Sequence, residues 1–503
     1  MRPHFSRTGV IFLLILPLLP LSTGDQRRVF LIGDSTMADK PLIGNPERGW
    51  GQVFPLFFPS DVLIENDARN GRSTKSFLAE GLWQAVYERL QPGDYVFIQF
   101  GHNDAKKEDS TRCAEAHTDY RNNLLRFITE ARSKGAVPVL VTPVCRRRFD
   151  DKGEFYDVHG DYPSVVRELA AEQAVPLIDL HAKSMQLLQK LGVEESKKLF
   201  LWIKPALFTA VRDGRQDNTH FSEFGALKIA GLVAEGLEEL NLPLSKVLRP
   251  LDVGSMVGLG KIVCLDNFYN NEWRKDANGK PVPFHYVWED TTNSGFSVLG
   301  SIITKLGASI DTLCDAPTDE TLSRASIYII VDPDTPKETE HPNYVEPPAI
   351  EAIAAWVRSG GVLILMGNDK GNAEFEHFNQ LAARFGIHFN EDSRNRVTGD
   401  AYDMGKFDSF PDQPLFKGVG QIYMKEISTL RVQELATALL SDRGDVIIAF
   451  ASVGKGAVFA VGDPWLYNEY ITHRKLPAAF ENDKAAENLF RWLLEKAQPI
   501  RVD

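Results

Sequence analysis

Between Arg28 and about Leu248, short apolar runs alternate with stretches of helical periodicity, and no other feature constrains the fold as tightly. Val29–Gly33, Tyr95–Gly101, Val137–Thr142 and Val175–Leu180 read as buried parallel strands. Ala79–Leu90, Tyr120–Lys134 and Tyr162–Gln173 read as amphipathic helices between them. This alternation predicts an α/β fold with a doubly wound parallel sheet. In such sheets ligands bind beyond the carboxyl ends of the strands, so the residues that follow each strand are the ones to inspect.

A chain of 503 residues is too long for one such unit. A connector containing Pro and Gly covers 249–260, and a second α/β pattern follows over 261–503. There Ile327–Asp332, Gly361–Gly367 and Gly456–Gly462 are strand-like, and Ile350–Ser359 is an amphipathic helix. Asp332, Asp369 and Asp463 fall near strand ends, where they either cap loops or line a pocket.

The first 24 residues have the pattern of a signal peptide. Arg2 and Arg7 precede an apolar run from Val10 to Leu21 that is too short to cross a bilayer comfortably, and the small residues Ser22-Thr23-Gly24 suit cleavage before Asp25. A periplasmic or secreted protein is expected, with no membrane contact once the signal is removed. The net charge of −12 argues against nucleic acid as a partner. Export permits disulfides among Cys113, Cys145, Cys264 and Cys314, although free thiols fit equally well, and none of the four has metal-ligand spacing. His102, His117, His159 and His181 read as structural, and no metal or cofactor is expected.

Four elements carry candidate chemistry. Gly33-Asp34-Ser35-Thr36 places a serine in the first turn after a strand; attack on a carbonyl needs a base beside such a hydroxyl. Asn70-Gly71-Arg72 supplies a glycine whose backbone can approach a ligand closely. Gly101-His102-Asn103-Asp104 puts a side-chain amide at a strand's carboxyl end. Asp217-Asn218-Thr219-His220 spaces a carboxylate and an imidazole so that one ring nitrogen is held and the other is free to take a proton. Singly, each has a plainer reading: a tight turn, another turn, a helix-capping Asn, and a surface turn or half a metal site.

Together, in the order Ser, Gly, Asn, Asp/His, the four resemble the sequence blocks of the GDSL/SGNH hydrolases. The resemblance implies a flavodoxin-like sheet, Ser35 as nucleophile, Asp217 and His220 as its relay, and an oxyanion hole formed by Ser35, Gly71 and Asn103. Within that family, Gly49-Trp50-Gly51-Gln52, Asn70 to Phe77, Val141 to Phe149 and His159-Gly160-Asp161-Tyr162-Pro163 are similar to the rhamnogalacturonan acetylesterases, over about Arg28 to Leu240. This implies removal of acetyl groups from an acetylated pectic polysaccharide. Such a polymer carries carboxylates, which Arg72, Lys75, Arg146 and Arg148 could bind. Trp50 reads either as a sugar-stacking residue or as a core residue. A lipase or thioesterase on the same scaffold, or a non-catalytic pectin-binding protein, are the competing expectations.

The second half, through Cys264 to Trp273 and Phe284 to Phe296, resembles the glutamine-amidotransferase-like module appended to some unsaturated rhamnogalacturonyl hydrolases. Neither Cys264 nor Cys314 has the strand-to-helix context of an amidotransferase nucleophile. An accessory role in substrate binding or subunit contact is expected.

Overall fold

The computed structural model describes residues 27–500. The segment read as a signal peptide lies outside the described residues. The first sheet consists of β1 (Arg27–Gly33), β2 (Val62–Asn66), β3 (Tyr95–Gln99), β4 (Val137–Val141) and β5 (Leu177–Ile178) in the order β2-β1-β3-β4-β5, all parallel. This is the flavodoxin-like order, whose topological switch point lies between β1 and β3.

The strands lack an apolar/polar alternation because both faces are covered. Val29, Leu31, Phe97, Val139 and Val141 point into one core, while Phe30, Ile32, Val96, Ile98 and Leu140 point into the other. Helix α1 (Arg121–Ser133) closes the second core with Leu124, Phe127, Ile128 and Ala131, one stripe at three- and four-residue spacing. Removing a side chain such as Phe127 from this packing would cost about 3–5 kcal/mol.

Two boundaries differ from the sequence reading. The helix expected over Ala79–Leu90 is split at Glu80-Gly81 into Thr74–Ala79 and Leu82–Arg89, because Ser73 and Ser76 form a capping box that starts a helix earlier. The strand expected over Val175–Leu180 keeps only Leu177–Ile178, because the Asp179 carboxylate accepts from Ala182 N–H and starts a helix at Leu180.

Beyond β5, β6 (Phe200–Ile203) and β7 (Arg215–Ser222) form an antiparallel pair. Helix α2 (Glu223–Glu239) then packs on the first core through Ala226, Ile229, Ala230, Val233 and Leu237. Between Glu239 and Ile262 the chain makes only short turns at Ser245–Val247 and Val253–Ser255.

The second sheet contains β8 (Ile262–Asp266), β9 (Ser309–Leu313), β10 (Ile327–Val331), β11 (Val362–Met366), β12 (Ile387–Phe389), β13 (Leu430–Val432), β14 (Ala436–Asp442), β15 (Asp445–Val453) and β16 (Gly456–Val461). Its order is β9-β8-β10-β11-β16-β15-β13-β12, with β14 paired to β15; the first five are parallel and the rest antiparallel. Helix Pro347–Ser359 covers one face and Asn482–Lys496 the other. Cys264 lies buried in the middle of β8, where burial pushes its thiol up to about 12, so it is no nucleophile. All four cysteines are free.

The halves meet along β9. Gly44 donates its N–H to Ile310 O at 2.8 Å, and Leu42 and Ile43 pack on the second core. Only glycine fits there. Its φ is +62°, and a Cβ would lie 1.9 Å from Thr209 Oγ1, which donates to Asp311 Oδ1 at 2.7 Å. Ser309 Oγ also donates to the half-buried Glu223 at 3.2 Å, so α2 is tied to the second half at the residue where it begins.

Candidate active site

The turns after β1 and β3 face each other at the switch point. After β1, Asp34 is fully buried and accepts from Thr36 N–H at 2.9 Å and Thr36 Oγ1 at 2.8 Å, which fixes the turn and leaves Ser35 half-buried. His102, after β3, faces Asp34 Oδ2 with Nδ1 at 3.1 Å and Val144 O with Nε2 at 2.9 Å. Burial raises the Asp34 carboxyl, but the His102 charge and the hydrogen bonds from His102 and Thr36 outweigh it and hold it at about 2.

Asp217 and His220 lie within β7 and not on the expected free turn. Phe200 pairs with Phe221 and Trp202 with Gln216, so residues 217–220 bulge out of the ladder. The bulge is held from inside: Asp217 Oδ1 accepts from Thr219 N–H at 2.7 Å and His220 N–H at 3.0 Å. His220 Nδ1 then meets Asp217 Oδ2 at 2.7 Å, and His220 Nε2 meets Ser35 Oγ at 2.9 Å. Burial works against the Asp217 charge, yet the bonds from His220 and from the backbone keep its carboxyl well below the usual carboxylate range. A carboxylate holding one imidazole nitrogen leaves the other free to take a hydroxyl proton.

Gly71, at φ +74°, makes the turn closed by Arg72 N–H to Arg69 O at 3.3 Å. Asn103 is nearly buried, and its Nδ2 donates to Arg72 O at 3.0 Å, which aims the amide and binds the two loops together. Asp104 carries no relay role: its Oδ1 accepts from Thr74 N–H and Oγ1, and burial raises its carboxyl to about 7. Ser35, Gly71, Asn103, Asp217 and His220 therefore come from four separate segments to one end of the sheet.

The four basic residues singled out in the sequence fall differently. Arg72 is paired with Glu80 at 2.8 Å and lines a cavity of about 350 Å³ beside Gly71. Lys75 Nζ donates to Ser110 O at 2.8 Å, away from that cavity's lining. Arg146 is half-buried with Nη2 3.3 Å from His102 O, in the field of Asp34 and Asp217. Arg148 is half-buried in the same loop. Trp50 is fully buried and donates to Gln99 Oε1 at 2.6 Å, so it is a core residue and cannot stack on a sugar.

Two basic residues near the site, Arg112 and Arg215, were missed, and a third takes a part other than binding carboxylate. Arg112 lines the cavity beside Gly71. Arg215 reaches Asp217 Oδ2 at 3.0 Å and Glu47 at 3.2 Å. Arg147, the middle of the Arg146–Arg148 triple, is buried, and its Nη1 donates to Asn218 Oδ1 at 2.9 Å. For Arg112 and Arg215 charge alone gave no signal, since only the fold brings Arg112 to the cavity and turns Arg215 onto Asp217.

Residues 31–225 match the model of the GDSL-like lipase/acylhydrolase family. The chain is 49% identical over 217 residues to rhamnogalacturonan acetylesterase RhgT of Bacillus subtilis strain 168, covering 43% of this chain and 92% of that protein. The chain belongs to the GDSL-like lipase/acylhydrolase family. It is accordingly a carboxylic ester hydrolase. A second relative in the family is the probable rhamnogalacturonan acetylesterase YesY of the same organism, 38% identical over 218 residues, covering 43% of this chain and 95% of that one. Among solved structures, protein YxiM of Bacillus subtilis is 26% identical with a TM-score of 0.38, covering 44% of this chain and 58% of that one.

The second half has a cleft of its own, about 680 Å³, at the carboxyl ends of its parallel strands. Asp332 and Asp463 line it, the second of the two readings that the sequence left open. Asp369 does not; it accepts from Asn372 Nδ2 at 2.6 Å and from Ser393 Oγ at 2.5 Å.

Proposed function

We propose that the protein is an acetylesterase acting on acetylated rhamnogalacturonan, with Ser35 as the nucleophile. The observation that carries the reading is the unbroken relay from Asp217 through His220 to Ser35, at 2.7 and 2.9 Å. His220 takes the Ser35 proton as Oγ attacks the acetyl carbonyl. The tetrahedral oxyanion is received by the Ser35 and Gly71 N–H groups and the Asn103 amide. His220 then gives its proton to the departing sugar oxygen, which leaves as a hydroxyl and the acetyl group remains on Ser35. Water, deprotonated by His220, repeats the attack and releases acetate.

The choice of substrate is supported by the names of the two relatives and by cations beside the relay. Arg146 reaches His102 O in the loop beside the relay, whereas Arg72 and Arg112, which line the cavity next to Gly71, are already paired with Glu80 and Asp109. An acidic polymer would meet opposite charge at Arg146, although the whole chain carries −12. The apolar N-terminal segment supports export to the periplasm or beyond.

Acetate release from acetylated rhamnogalacturonan and acetylated xylan, with wild type and Ser35→Ala, tests the reading. Release strongest on the pectic polymer and absent in the variant is expected. Ser35-dependent release from xylan alone would keep the esterase and overturn the substrate.

A further inference from the structure

Behind the relay, four side chains that the sequence gave no reason to connect come together. Cys145, Asp157, His159 and His181 each present a ligand atom, and these atoms all lie within 4.8 Å of one another. Cys145 and Asp157-to-His159 belong to the loop after β4, and His181 to the first turn of the helix Leu180–Glu195. Cys145, His159 and His181 are buried, whereas Asp157 is exposed and leaves a route of entry.

The hydrogen bonding within the group is incomplete. Asp157 Oδ1 meets His159 Nδ1 at 2.7 Å, and Asp157 Oδ2 lies 3.2 Å from His181 Nε2. His159 Nε2 is buried without a hydrogen-bond partner, and the ring is 6% exposed. A buried ring nitrogen with no protein partner leaves the His159 imidazole incompletely bonded, with Asp157 holding only its Nδ1 side.

We propose that Cys145, Asp157, His159 and His181 form a structural zinc site. One sulfur, two imidazole nitrogens and one carboxylate oxygen suit zinc, and they do not suit calcium or magnesium, which take oxygen ligands. Bonds of about 2.0–2.3 Å place the ligand atoms of a tetrahedral site roughly 3.3–3.7 Å apart; the Asp157 contacts at 2.7 and 3.2 Å would open slightly on the ion, while the widest separations in the group, at most 4.8 Å, would close. The thiolate and the carboxylate cancel its charge. Ligation through His181 Nε2 puts that ring's proton on Nδ1. Arg167 Nη2, now 3.3 Å from Nδ1, then rests on Asp179 alone, which Arg167 already holds at 2.8 and 3.0 Å.

Four protein ligands leave no open position, so the role is to brace and not to catalyse. His159 packs edge-on against His102 with ring centroids 5.2 Å apart, and His102 contacts Asp34, the residue before Ser35. The ion would fix the loop that carries Arg146 and Arg148 against this wall of the site.

The test uses the full chain, stripped with a chelator and titrated first with cobalt(II) and then with zinc. Expected are one metal per chain, a thiolate-to-cobalt charge-transfer absorption that zinc abolishes, and a rise in Tm on zinc addition. Cys145→Ser should lose the absorption and the rise in Tm, and His181→Asn should bind more weakly. Failure of the wild type to take up stoichiometric metal overturns the proposal. So does a charge-transfer band that persists in Cys145→Ser, which would place the thiolate at another cysteine.

Discussion

Arg147 grips Asn218 twice: its N–H donates to Asn218 O at 2.9 Å and its Nη1 to Asn218 Oδ1 at 2.9 Å. Asn218 sits between Asp217 and His220, so this buried arginine holds the bulge that carries both. Its Nε also donates to Ser196 Oγ at 2.9 Å.

Arg147→Met keeps much of the volume and removes every one of these side-chain bonds. Loss of charged hydrogen bonds in a buried site is expected to cost roughly 3 kcal/mol of stability. A shift of the bulge by about 1 Å would lower kcat on the order of 100-fold. Thermal unfolding and steady-state kinetics on an acetyl ester check both. Unchanged kcat would show that the bulge holds without the arginine.

Asn103→Ala removes the amide aimed across the switch point while Arg72 and Gly71 keep their turn. A fall in kcat of about 100- to 1,000-fold is expected, with KM changed far less. An effect confined to KM would make Asn103 a ground-state binding residue.

Asp104 gives a pH prediction. Its folded carboxyl titrates at about 7 against an ordinary value of 3.8, chiefly because of burial. Between those values the folded state holds a proton that the unfolded state has lost, so the group's contribution to stability falls as pH rises from about 4 to about 7. Asp104→Asn keeps an acceptor for Thr74 and cannot ionise. The stability of the variant minus that of wild type should therefore grow over this window and level off above it, by a few kcal/mol in all. Denaturant titrations at several pH values read it, and a flat difference would contradict it. The comparison with wild type matters, because Asp266, also raised to about 7, gives the whole protein a slope of the same sign.

Gly44→Ala tests the contact between the halves. The strain of φ +62° and the 1.9 Å approach to Thr209 Oγ1 should lower Tm by several degrees, as expected for a loss of about 2 kcal/mol or more. Thr209→Ala in the same chain removes the nearest atom and should recover part of the loss.

How much of this was legible in the sequence depends on what made each feature. The central strands of the first sheet announced themselves because both faces are buried, which leaves runs such as Val29 to Ile32 wholly apolar, whereas the edge strand β2, where only Val62 is buried, was not read. The site was legible because each contributing segment sits directly after a strand or beside its partner in sequence, as Asp217 and His220 do. The bulge in β7 was not, since its register is set by pairing with β6. Trp50 and Gln99 show the same limit: they are 49 residues apart, and only the fold reveals that the indole belongs to the core. The group around His159 was missed because long-range folding, and no spacing along the chain, brings Cys145 and His181 to it.

The most direct test is to find which residue acts as the nucleophile. The protein is incubated with an organophosphate ester, digested, and the modified peptide sequenced by mass spectrometry. A single adduct on Ser35, absent in Ser35→Ala and formed far more slowly in His220→Ala, is the predicted result. An adduct on another residue, or full esterase activity in Ser35→Ala, would contradict it.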